Sequence, residues 1–201
     1  MTVFEAIKLR RSVRKFKDMP IKDEVLNEML EAARLSPSGG NSQNYVFGVI
    51  KDKILKDQLA EAAGNQMWIA TAPVIFACCG DISWDIAKMP EDDFGLVVNN
   101  LRFGLDFINN MKKYPDRRAF RMLHHNSTPV IAMTFIILTA TSHGLSACPV
   151  GYLDIDKATK ILNLPDHLAC LFLLPIGYID EIPGEKYLKS VDEISFYDKW
   201  E

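Results

Sequence analysis

Several common enzyme signatures are missing from this chain. It contains no G-x-G-x-x-G, no G-x-x-x-x-G-K-[ST], no H-E-x-x-H and no G-x-S-x-G. A Rossmann fingerprint, a P-loop, a zincin centre and a hydrolase nucleophile elbow are therefore excluded in their usual form. Cysteine is scarce. Cys78, Cys79, Cys148 and Cys170 show no C-x-x-C spacing and sit among apolar residues, which reads as reduced, buried small hydrophobes. Positive charge is not in excess: 23 Lys and Arg stand against 26 Asp and Glu, for a net charge of -3. A nucleic-acid binder would usually be basic overall. The longest apolar stretches, "PVIAMTFIILTA" and "LACLFLLPIGYI", fall short of the ~20 residues a membrane span needs. The opening "MTVFEAIKLRRS" has no apolar h-region, so no secretory leader is expected and a cytoplasmic protein is.

What is present suits one globular domain over residues 1–201, with 48% hydrophobic and 24% charged residues. Val3, Phe4 and Ile7 recur at helical spacing. A second helix is expected from about Lys22 to Leu35, with Val25, Leu26, Met29, Leu30 and Ala33 as its apolar stripe. "SPSGGNS" stops it, since Pro, Gly and Ser favour turns. "YVFGVI", "PVIFACC" and "ACLFLLPIGYI" read as strands. "KILKDQLAEAAG" reads as a helix ending at Gly64, about Asp92 to Lys112 as one long helix, and "DIDKATKILN" as a short one. "TPVIAMTFIILTATSHG" reads as a helix apolar on nearly all sides, which must be covered all round, by layers of the fold or by a second copy. The tail from Ile182 to Glu201 carries Tyr187, Phe196, Tyr197 and Trp200 and is expected to dock on something. Interleaved helices and strands around one small sheet indicate an α+β fold. His124-His125 lacks a companion Cys or carboxylate cluster and reads as a polar corner between helices rather than a metal site.

Against the acidic background, "LRRSVRKF" at residues 9–16 concentrates Arg10, Arg11, Arg14 and Lys15. Cations in the last turn of a helix favour its exposed carbonyls, and Lys8, Arg10 and Arg11 would serve that purpose if the helix ran so far. A phosphate clamp is the other reading. The Arg fork matches phosphate oxygens, Ser12 adds a donor, and Arg14 in extended chain points to the same side as Ser12. "SPSGGNSQ", Ser36 to Gln43, is a polar turn whose glycines also let backbone approach a flat ligand closely. "GLSACPVGYLD", Gly144 to Asp154, joins a buried helix to the next element through Pro-Val-Gly and exposes backbone N–H groups.

Taken in order with "LPIGYIDEIPGEKYLKS", these stretches resemble the FMN-dependent nitroreductase family along essentially the whole chain. The resemblance implies an α+β nitroreductase-like fold: a small mixed or antiparallel central sheet flanked by helices, in an intertwined homodimer with FMN sites shared between subunits. It implies that Arg10, Arg11 and Ser12 hold the phosphate and ribityl chain and that Arg14 reaches the pyrimidine edge. Pro37, Ser38, Gly39 and Asn41 would arrive from the partner subunit, and Asn65 would bond the flavin edge. Pro149, Val150, Gly151 and Tyr152 would line the segment whose N–H faces flavin N5. Lys186, or less closely Lys189, matches the C-terminal cation of the phosphate site. The implied reaction carries hydride from NAD(P)H through the flavin to a nitroaromatic, quinone or activated alkene by ping-pong kinetics. No catalytic side chain is required, since the flavin does the redox chemistry. A fixed cation such as Arg14 would stabilise the charge of the reduced ring. Reductive dehalogenation, flavin consumption, or flavin binding without NAD(P)H turnover are the alternatives on the same fold. The chain departs from the family at Asn44-Tyr45, where Pro-Trp is frequent. It also departs at Trp68, where some members carry Lys, and in "GEKYLKS", which lacks the usual Arg and Pro.

Overall fold

The computed structural model describes residues 1–200; Glu201, the end of the expected tail, lies outside the described residues. Helix α1 spans Val3–Leu9 and is started by a reciprocal cap: Glu5 N–H donates to the Thr2 hydroxyl while Thr2 N–H donates to the Glu5 carboxylate. The chain turns extended at Arg10 (φ -50°, ψ 130°). Helix α2, Asp23–Arg34, buries Leu26, Met29 and Ala33. A 3-10 turn at Gly39–Asn41 leads into strand β1, Tyr45–Ile50. Helix α3, Lys53–Ala62, and a 3-10 turn at Met67–Thr71 precede strand β2, Val74–Asp81. Helices α4 (Phe94–Phe103), α5 (Leu105–Lys112), α6 (Arg117–His124) and α7 (Val130–Ser142) follow. The chain then forms β3 (Ser146–Ala147), α8 (Ile155–Ile161) and β4 (Leu168–Gly177).

The sheet order is β1-β2-β4-β3, antiparallel at each pairing. β2 and β4 lie at its centre and are apolar on both faces because helices cover both. Val74, Phe76 and Cys78 face α2 and α7 in one core. Ile75, Ala77 and Cys79 face α3 and α8 in another. A bulge between Cys78 and Cys79 shifts the β2–β4 register. β3 is short for a definite reason. Cys148 N–H donates to the Pro175 carbonyl at 3.3 Å, but proline has no N–H to return. Ladder bonding resumes at Val150, which exchanges bonds with Leu173 at 2.8 and 3.1 Å.

The long helix expected from about Asp92 to Lys112 is two helices. Gly104 breaks it with φ 85° and ψ 149°, a conformation glycine alone adopts without strain. Asp93 starts α4 by accepting the Leu96 N–H at 2.9 Å and also accepts Trp84 Nε1–H at 3.2 Å. α6 was not expected as a helix. Asp116 caps it through the Ala119 N–H, and Arg117 locks it in place. Arg117 pairs with buried Asp85 and donates to the Met111 carbonyl at 2.7 Å. Burial raises the Asp85 pKa, but bonds from Arg117 and the Ala87 N–H outweigh it and hold the carboxyl below its usual range. α7 is covered mainly within its own chain by α1, α2 and the sheet; Ile131 (50%) and Phe135 (37%) are its exposed large apolar side chains. The apolar surface left open lies more on α1, on α4 and α5, and on the tail. Only the start of the tail docks within the chain, where Lys186 donates to the Lys8 carbonyl; among the described residues its aromatics do not, with Tyr187 99% and Trp200 75% exposed.

Candidate functional site

The segment after α1 runs as an extra strand along the β3 side of the sheet. Ser12 bridges Ala147 in parallel, Val13 N–H donates to the Ala147 carbonyl, and Phe16 bridges Ile179. Val13 is fully buried and Phe16 nearly so. Alternation therefore turns Ser12 and Arg14 to the outside together, as the sequence predicts. Because α1 stops at Leu9, Arg10 is its C-cap and Arg11 lies beyond it. Of the three cations that might have served the last turn, Lys8 alone lies in it.

Arg10, Arg11, Ser12 and Arg14 line one cavity of about 360 Å³ together with the chain from Glu181 to Lys186. The return strand is held there by a zipper. Lys17 N–H donates to the Tyr178 carbonyl, Asp180 N–H to the Lys15 carbonyl, and Arg14 N–H to Glu181 Oε1 at 2.7 Å. Lys186 Nζ donates to the Lys8 carbonyl at 2.5 Å. Burial, then the adjacent Arg10 and Arg11, lower the Lys186 pKa. Four cations and a hydroxyl thus converge on one small space.

Two of the other predicted segments, the turn at Asn65 and the stretch at Gly151–Tyr152, come together. The Arg14 guanidinium sits 5.8 Å from the Trp68 ring centroid. The Gly64–Asn65 turn takes positive φ at both residues. The Tyr152 ring lies over Gly64, where a Cβ would come within 2.2 Å of it. Gly64, Gly151 and Tyr152 line a second cavity of about 420 Å³. The Cys148 thiol lies by Ser12 and Arg14; burial raises its pKa, while Arg14 and Ser12 pull it down.

The pattern of one protein family, described as the nitroreductase family, matches residues 7–178. The chain belongs to the nitroreductase family. A protein of Thermus thermophilus named NADH dehydrogenase is 28% identical over 176 residues, covering 84% of this chain and 82% of that protein. An FMN reductase [NAD(P)H] of Bacillus subtilis is 28% identical over 179 residues, covering 88% of this chain and 65% of that protein. A crystal structure of a nitroreductase family protein from Clostridium difficile 630 superposes with a TM-score of 0.71 at 26% identity, with full coverage of both chains.

Within this nitroreductase fold, Arg10, Arg11, Ser12, Arg14 and Lys186 gather at one cavity. Val150, Gly151, Tyr152 and the turn at Asn65 lie at the neighbouring cavity or beside it. Pro149 sits between Cys148 and Val150 at the point where the ladder is interrupted. Lys189 makes no hydrogen bond or ion pair among the described residues and does not line the cation cavity. Pro37, Ser38, Gly39 and Asn41 are not brought to it either. Their turn is closed on itself, with Gln43 N–H donating to the Ser38 hydroxyl at 3.0 Å and Gly40 and Asn41 at positive φ. It enters β1, at the opposite edge of the sheet. The separation is four strand spacings of about 4.8 Å, roughly 19 Å across the sheet. Glu181 was missed, because nothing in its sequence context marks a backbone acceptor for Arg14. Of His124-His125, His124 stacks between Trp84 and Phe120 at ring distances of 5.1 and 5.9 Å, while the buried His125 ring places Nε2 3.3 Å from the Trp84 carbonyl oxygen.

Proposed function

We propose that this protein is an FMN-dependent oxidoreductase that takes hydride from NAD(P)H and delivers it to a small acceptor such as a nitroaromatic, a quinone or an activated alkene. The observation that carries this reading is the convergence of Arg10, Arg11, Arg14 and Lys186 with Ser12 on one cavity. It fits a compact terminal phosphate: guanidinium forks and an ammonium supply charge-assisted donors on several sides. Glu181 is occupied with the Arg14 N–H. No dinucleotide fingerprint is present, which favours FMN over FAD. The relatives' names, FMN reductase and NADH dehydrogenase, support the same cofactor and reductant.

When bound, FMN supplies the two-electron chemistry. The chain's own part is to bind, orient and tune. Arg10, Arg11, Ser12 and Lys186 would hold the phosphate end. Arg14, braced on Trp68 and by Glu181, would place a fixed cation toward the ring's anionic edge. The backbone after Pro149, held by Val150 against Leu173, would present the Gly151 N–H. Residues 1–201 would form a single FMN-binding domain.

The working unit would be a homodimer in which the Pro37–Asn41 turn of each chain completes the other's clamp. Two features support this. The turn and clamp of one chain lie at opposite sheet edges, and α1 exposes Val3, Phe4 and Ile7 beside the groove it forms with α7. Among the described residues no helix is long and apolar enough to cross a membrane.

The test is direct. Purified protein, denatured, should release FMN. The native protein should lose its flavin absorbance when NADH or NADPH is added without oxygen and regain it with an acceptor. Released FAD, or no flavin after reconstitution, would refute the cofactor. Bound FMN that neither nucleotide reduces would leave a flavin-binding protein without turnover.

A further inference from the structure

The clamp is not purely cationic. Glu181 and Glu185 line the same cavity as Arg10, Arg11, Arg14 and Lys186. A carboxylate in an anion site opposes the anion by its own charge, so the presence of two calls for a physical reason. Neutralising particular cations is not that reason. Among the described residues no ion pair joins Glu181 or Glu185 to any Lys or Arg. The cations stay free for a ligand, and the carboxylates stay free to repel one.

Glu181 is also fixed in place. Its Oε1 accepts the Arg14 N–H at 2.7 Å. The residue before it is tied twice to the clamp segment: Asp180 N–H donates to the Lys15 carbonyl at 3.0 Å, and its carboxylate pairs with Lys15 at 3.3 Å. The negative charge of Glu181 is felt where the clamp's cations are felt. Burial raises the pKa of the Cys148 thiol most; Arg14, Ser12 and Arg10 lower it, and Glu181 raises it. Four cations less two carboxylates leave two positive charges in the cavity. One phosphate monoester, at about -1.5 to -2 near neutral pH, matches that balance. A polyphosphate brings further charge, which would meet Glu181 and Glu185 with no counter-charge left. Such competitors are unavoidable for an enzyme of this kind, because NAD(P)H itself contains a pyrophosphate.

We infer, on the reading that the clamp holds the phosphate of FMN, that Glu181, with Glu185, determines the specificity of the clamp: it admits a single phosphate monoester and rejects diphosphate and triphosphate chains. The test is displacement of FMN, followed by flavin fluorescence, with orthophosphate and tripolyphosphate as competitors at constant ionic strength and without divalent cations. The quantity read is the ratio of their two inhibition constants. Tripolyphosphate should displace FMN from wild type no better than orthophosphate does. Glu181→Gln keeps an amide oxygen for the Arg14 N–H and should shift the ratio about fivefold toward tripolyphosphate, the upper end for an exposed charge pair. Glu185→Gln, which removes a carboxylate that makes no hydrogen bond among the described residues, should shift it the same way by about twofold. It decides the matter by itself should Glu181→Gln not fold. Glu24→Gln, an exposed position on α2 outside the cavity, removes the same net charge and should leave the ratio as in wild type.

An unchanged ratio in the cavity variants would overturn the assignment. An equal shift in Glu24→Gln would do so too, since net charge alone would then be at work. Wild type displaced more readily by tripolyphosphate than by orthophosphate would contradict it directly. Failure of both ions to displace bound FMN from wild type and variants would mean that the cavity holds no phosphate, and the assignment would fall while FMN binding stood. Absence of FMN binding by wild type would refute the flavin reading itself, and the assignment with it.

Discussion

Replacing Lys186 by alanine probes the clamp where the sequence offers two candidate cations. Lys186 donates to the Lys8 carbonyl and lies close enough to Arg10 and Arg11 for their charges to lower its pKa. In the free protein these like charges oppose one another, and a bound dianion relieves that opposition. Loss of Lys186 removes one charge-assisted hydrogen bond, and its partly solvated setting places the effect near the lower end of the usual range, roughly tenfold in affinity. One contact fewer also means a shallower dependence on salt. The assay is titration of flavin-free protein with FMN, followed by flavin fluorescence at two ionic strengths. Lys186→Ala should bind about tenfold more weakly, with the reduced salt dependence, and its flavin-free form should be no less heat-stable than wild type. Lys189→Ala should match wild type. If instead Lys186→Ala titrates like wild type and Lys189→Ala loses affinity, the cavity geometry has been misassigned and the phosphate lies elsewhere.

Arg14→Ala should weaken FMN binding and lower the potential of the bound flavin, since it removes the cation while keeping the backbone N–H that Glu181 holds; a potential equal to wild type in a redox-dye titration would confine Arg14 to packing on Trp68. A mixed dimer of Ser12→Asp and Gly39→Trp chains, purified through two different tags, should carry about half the wild-type flavin, because one of two shared sites is intact; no flavin at all would place clamp and turn of each site in one chain. For His124, the folded pKa of about 4 lies below the ordinary 6.5, so between these values the unfolded chain binds more protons and stability falls as pH falls. The unfolding midpoint should therefore drop more steeply from pH 6.5 to 4 in wild type than in His124→Gln, by an amount that solvent at the exposed edge of the ring reduces; parallel curves would show that the stack does not disfavour the charged ring.

The strands were legible because their two faces are both apolar and both covered. Val74, Phe76 and Cys78 alternate with Ile75, Ala77 and Cys79 between two cores, so the run reads as a buried strand without any tertiary knowledge. The break at Gly104 was not legible. A glycine inside a helical pattern costs only ~1 kcal/mol, and the positive φ that ends α4 is a property of the folded chain. α6 was obscured by its own composition, "RRAFRMLHH". Arg117 and Arg121 point to the Asp85 carboxylate and to the carbonyls of Met111 and Ile82, and Arg118 to Asp156, which no local pattern reveals, although Asp116 was available as a cap signal.

The site divides along the same line. Cations gathered in eight residues can be seen in sequence; the partner that fixes Arg14 stands 167 positions away and acts on its backbone. Sequence order also gives no means of deciding whether the Ser38–Asn41 turn and the Arg10–Arg14 clamp serve one pocket in one chain. Sheet order does bear on it. The turn feeds β1 at one edge, the clamp runs beside β3 at the other, and β2 and β4 fill the space between. No side chain of the turn spans that width, which supports the proposed site shared between two copies. The exposed apolar residues of α1 and of the tail then gain a physical role: burying them would drive the association that brings a turn to each clamp.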